Sequence, residues 1–212
     1  MKLMTLLTAF ALLIIVPSAH ATVISTNEMT FLGTIASDYY LEDFSSWTPG
    51  RPIPRLTGPI TDAHFGPKNG YSWNVHTTGG SLYSNSGALS TAYADDTALV
   101  ITFTGAPVTS VGGIFSFTDT NERENAAEFT VELNDKTKII SYGTQFIGFT
   151  STSPITSLIF STTHTPELDY PQLDHFYVGR SNATPVPEPS TFILLAAGLG
   201  GLALLRKKTV TR

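Results

Sequence analysis

Three acidic residues are the first candidates for chemistry. Glu42 and Asp43 are adjacent near an early strand, and Asp174 lies in the last expected strand. Hard carboxylate oxygens suit Ca²⁺, so the three are candidate ligands of a structural calcium ion if the two segments converge. The ordinary alternative is a set of hydrogen-bonded surface carboxylates. Acidic pairs such as Glu42 and Asp174 also have the chemistry of glycoside hydrolysis, in which two carboxyl groups flank the scissile bond, but no neighbouring residue selects them for it. Asp95-Asp96 reads as a turn. The segment from Asp119 to Glu124 lacks the spaced ligands and central glycine of an EF-hand and reads as a polar hairpin loop.

Carbohydrate recognition needs aromatic platforms beside polar groups in a shallow groove. Trp47, Tyr71, Trp73, Tyr83 and Tyr93 are the candidates. Trp73 and Tyr83 fall in a stretch rich in Gly, Ser and Asn, where no periodicity marks them as core. The histidines outside the N-terminal leader are His64, His76, His164 and His175, and they form neither HExxH nor any paired-histidine motif. No GxSxG elbow is present. No catalytic residue is therefore expected, although residues distant in sequence can still meet in a triad. Cysteine is absent, which excludes disulfides, a thiol nucleophile and thiolate metal sites.

The elements that would hold these residues read as strands. Leu99, Ile101 and Phe103 share one parity, as do Val111, Gly113, Phe115 and Phe117, and again Phe129, Val131 and Leu133. Period-two alternation places one face of each segment on a core. Further strands are expected at Thr30–Ala36, Tyr39–Phe44, Lys138–Tyr142, Gln145–Thr150, Thr156–Ser161 and Asp174–Val178. Asn134-Asp135, Gly143-Thr144 and Ser153-Pro154 are turn signals. Trp47–Pro59 reads as a long surface loop, and Asn69–Thr91 as irregular edge strands or a binding loop. Eight or nine short strands, with no βαβ spacing and no long amphipathic helix, predict an all-β fold, an antiparallel β-sandwich of jelly-roll type.

Both ends differ from this body. Met1–Ala21 has the layout of a secretory signal peptide: Lys2, an apolar run from Leu3 to Val16, and Ala19-His20-Ala21 as the cleavage site. Signal peptidase is thus an expected partner, and Thr22 the first mature residue. Residues 183–191 form a Pro-rich linker that no helix can cross. The hydrophobic segment 192–205 follows as a short transmembrane helix, then the basic tail 206–212. As a helix the apolar run spans about 21 Å, short of a hydrocarbon layer of roughly 30 Å, and the flanking cations can snorkel. The basic tail should stay cytoplasmic, with the inner membrane holding the chain transiently.

Removing the ends also changes the charge. The 212 residues carry −5 overall, but residues 22–185 hold 7 basic and 16 acidic side chains, a balance of −9. Such a surface repels phosphate, so no nucleic-acid partner is expected. The same 164 residues contain 43 Ser or Thr, a composition at home outside the cell.

Val186, Pro187, Glu188, Pro189 and Ser190, followed by the hydrophobic segment and by Arg206, Lys207 and Lys208, resemble the PEP-CTERM sorting signal of Gram-negative bacteria. The resemblance implies recognition by an exosortase, a membrane-embedded cysteine protease, with processing near Pro187-Glu188-Pro189 and release to the cell surface or extracellular matrix. Residues 98–179 resemble the jelly-roll or lectin-like β-sandwiches that often precede this signal. The matching pieces include Pro107–Gly113, Phe146–Ser151, Pro154–Phe160 and Leu173–Gly179; many relatives have Asn where this chain has His175. In such modules the first and last strands are often neighbours, which would bring Glu42 and Asp174 together. The expected role is non-enzymatic, structural or adhesive, in exopolysaccharide or biofilm. A carbohydrate-binding module is the alternative, and a glycoside hydrolase the more distant one.

Overall fold

The computed structural model describes residues 21–45, 61–85, 87–92, 98–119, 123–162 and 170–182, all within one compact unit. Residues 1–20 of the expected signal peptide, the expected loop Trp47–Pro59, Tyr93, Asp95-Asp96, His164 and the whole sorting tail lie outside the described residues.

Fourteen strands and one short helix are seen among these residues. In chain order they are β1 (Thr22–Ser25), α1 (Glu28–Leu32), β2 (Tyr40–Glu42), β3 (Asp62–Lys68), β4 (Tyr71–Thr77), β5 (Ser81–Asn85) and β6 (Ala88–Ala92). They continue as β7 (Ala98–Gly105), β8 (Ser110–Thr118), β9 (Glu124–Asn125), β10 (Glu128–Leu133), β11 (Lys138–Tyr142), β12 (Gln145–Ser151), β13 (Ser157–Thr162) and β14 (Tyr170–Gly179). Two antiparallel sheets form. One runs β1-β12-β8-β14-β6-β5, with β2 also on β14 and β9 on β8; the other runs β11-β10-β13-β7-β4-β3. The fold is an all-β sandwich. Among the described strands, β3–β4, β5–β6, β8–β9 and β10–β11 are paired neighbours in sequence, and most of the other connections cross from one sheet to the other.

The alternating residues fill the space between the sheets. Phe115 and Phe117 of β8 meet Phe160 of β13 at ring distances of 5.0 and 5.2 Å, and Phe160 lies 5.4 Å from Phe129 of β10. All four rings are fully buried. Burying a side chain of this size stabilises by about 1.5–3 kcal/mol, so this quartet is a principal bond between the layers.

Two segments depart from the sequence reading. Thr30–Ala36 was expected as a strand, yet α1 occupies Glu28–Leu32. Asn27 caps it: its side chain accepts from the Thr30 N–H at 2.9 Å, and Glu28 adds favourable charge to the first turn. Phe31 and Ile35, four apart, then share one face and both are buried. They pack on the side of the eight-stranded sheet that faces away from its partner, in a small second core with Tyr177. The second departure is Asn69–Thr91. It forms three regular strands, and β4 runs inside the six-stranded sheet between β3 and β7. Tertiary pairing supplied order that local composition did not show.

Candidate functional site

Glu42, Asp43 and Asp174 are carried by strands that do meet. β14 pairs β8 along its length, with a register shift between Asp174 and Tyr177. Before the shift β14 also pairs β6, and after it β2, so that Glu42 stands opposite Phe176. His175 lies in the shift with φ of 45°, and Phe44 beyond β2 has φ of 50°. Each carboxylate has partners within the protein. Glu42 accepts from the Tyr40 hydroxyl at 2.8 Å and the Phe44 N–H at 3.2 Å. Asp43 accepts from the Ser45 hydroxyl at 2.8 Å and the Ser45 N–H at 3.1 Å. Asp174 accepts from the His175 N–H at 2.7 Å, and its second oxygen lies 3.0 Å from His175 Nδ1.

These contacts set the local electrostatics. The Ser45 hydroxyl and N–H hold the Asp43 carboxyl below its ordinary range, with His175 adding attraction. Burial, reinforced by the Glu42 carboxylate, pushes the Tyr40 hydroxyl above its usual value. Among the described residues no three His, Asp or Glu side chains gather as a metal-ligand group. The three acids are thus close in the fold, and each has at least one oxygen engaged by an N–H or O–H donor.

The aromatic candidates separate by burial. Trp73 is fully buried and Tyr71 is 1 % exposed, so neither is a platform at the surface, contrary to the expectation. Trp73 stacks on Phe65 at 3.9 Å and is met edge-on by Phe176 at 5.1 Å. Tyr71 uses its hydroxyl to accept from Arg180 Nε at 3.1 Å, and Arg180 reaches Asp38 at 2.8 Å. The physical reason is position: β4 is an interior strand, and one parity of it must face the core. Tyr83 is half-buried on β5, an edge strand. Trp47 and Tyr93 fall outside the described residues.

A different cluster comes together on the opposite face of β4. Asp62, His64, Asn74, His76 and Thr102, with Ala63, line an open groove of about 640 Å³ on the six-stranded sheet. In the β3–β4 ladder Asp62 stands opposite His76 and His64 opposite Asn74, and Asn74 in turn faces Thr102 of β7. His64 Nδ1 lies 2.5 Å from Asn74 Oδ1. Sequence reasoning passed over this group because it sought histidines at helical or motif spacing. The signal was the pair of triplets Asp62-Ala-His64 and Asn74-Val-His76, whose i, i+2 spacing puts both members on one face of a strand.

The chain finds no match among curated proteins or among solved structures. Its C-terminal residues do match a family model. The chain carries a PEP-CTERM protein-sorting motif at residues 185–208, which marks it as an exported protein addressed to an exosortase and to the cell surface.

Proposed function

We propose that this chain is a sorted surface protein whose sandwich body has a structural or adhesive role in extracellular polysaccharide, without catalysis of its own. The observation that carries the reading is the sorting motif at residues 185–208, in a chain whose described residues form an all-β sandwich. Signal peptidase removes Met1–Ala21, and the segment 192–205 holds the chain in the inner membrane. Exosortase then acts near Pro187-Glu188-Pro189 and releases the body. An acidic, Ser/Thr-rich surface keeps that body soluble in a hydrated polymer.

The test is deletion of residues 186–212, with the protein followed through membrane, surface and medium fractions. Loss of surface retention is the expected result. Unchanged fractionation would overturn the sorting assignment. The role in the matrix is read separately, by comparing cohesion of the extracellular polymer with and without the full-length protein.

A further inference from the structure

We propose that the groove on the six-stranded sheet binds a divalent transition-metal ion through His64 and His76. The site is independent of the sorting tail and of the acidic residues around β14.

The argument begins with orientation. Asn74 Oδ1 can only accept a hydrogen bond, so the 2.5 Å contact requires His64 Nδ1 to carry its proton. The lone pair is then on Nε2, the atom available to a metal. A hydrogen bond from the other ring nitrogen to a fixed acceptor is the usual support of a metal-bound imidazole, because it selects the tautomer and holds the ring. Asn74 is itself fixed by its place in the ladder between His64 and Thr102.

His76 is the second ligand. It lies on the strand next to His64 and two positions along the ladder, a diagonal neighbour on the same face. Diagonal cross-strand residues are within reach of each other when their side chains are long. Two imidazoles without thiolates prefer Zn²⁺, Cu²⁺ or Ni²⁺ over Ca²⁺ or Mg²⁺. Asp62, opposite His76, adds negative charge at the groove, and its Oδ2 is held by the Thr61 hydroxyl at 3.0 Å. No third His, Asp or Glu joins the two imidazoles as a ligand group among the described residues, so water completes the coordination shell. The open groove of about 640 Å³ has room for it. Core packing does not account for His64, which is exposed.

The probe is Zn²⁺, titrated calorimetrically into the untagged full-length protein, with the melting temperature followed in parallel. One saturable site and a rise in melting temperature are expected. His64→Ala and His76→Ala should each abolish saturable binding while leaving the metal-free melting temperature close to that of the parent. Asn74→Ala, which removes only the positioning contact, should weaken binding about 10–100-fold. His175→Asn, at the other end of the histidine set, should bind as the parent does. Absence of saturable binding, or equal affinity in the His64→Ala, His76→Ala double variant, would overturn the proposal.

Discussion

His175 holds a backbone conformation that few side chains accept. Its φ of 45° is left-handed, a region in which Asn, Asp and His are enriched among non-glycine residues and a β-branched side chain is an outlier. The position exists because β14 changes partner from β6 to β2, and the register shift needs one residue out of the ladder. His175→Asn should leave stability within about 0.5 kcal/mol of the parent, since the half-exposed contact with Asp174 is worth little. His175→Val should lose about 1–2 kcal/mol, measured by urea unfolding. Equal stability of the two variants would refute the backbone argument. Residue types alone could not separate this strain from chemistry. The sequence pointed to Asp174 and Glu42 as neighbours, but not to the donors on their oxygens, because local contacts such as Tyr40 to Glu42, two residues apart on one strand, depend on which rotamers the side chains adopt.

At the scale of elements, α1 depends on two strands that have no side chain beneath it. The Phe31 ring lies over Gly148 of β12 and Gly112 of β8, which are directly paired. A Cβ at Gly148 would overlap the Phe31 ring, and one at Gly112 would stand 3.1 Å from it. Gly148→Ala should therefore displace α1 and cost about 1–3 kcal/mol, a typical penalty for overpacking. Pairing it with Phe31→Ala relieves the overlap, so the double variant should lose less than the sum of the two single losses. Thermal melts of the four proteins check this, and strict additivity would sink it. Strands with clean alternation, β7, β8 and β10, were readable in advance. β4 was not, although Tyr71, Trp73 and Val75 alternate with Ser72, Asn74 and His76, because the Gly-, Ser- and Asn-rich residues around it read as a loop. Trp73→Ala consequently probes the core, and a binding assay built on it would read unfolding.

At the scale of the whole molecule, charge is the dominant bulk property. Residues 22–185 have 16 acidic against 7 basic side chains, and only a few ion pairs are formed among the described residues. Self-repulsion of a charge of −9 should destabilise the folded body at low ionic strength and be screened near physiological salt, where the Debye length falls to about 8 Å. The melting temperature should rise when NaCl is increased from a few millimolar to roughly 150 mM. A constant or falling value would mean that local pairing outweighs the net charge. With no cysteine to restrain the unfolded chain, the opposing stabilisation comes from the aromatic layer between the sheets.

By itself the sequence determined the class of fold and the sorting address. Both are written in local patterns: period-two apolar alternation for the sheets, and a contiguous Pro-Glu-Pro, apolar and basic order matched at residues 185–208. Only the tertiary structure decided which face each residue of β4 would occupy. A strand exposes one parity and buries the other, and the choice follows from its neighbours in the sheet. Trp73 went inward against Phe65 and Phe176. His76 and Asn74 went outward to join Asp62 and His64, and that choice made a groove from residues that no motif connects.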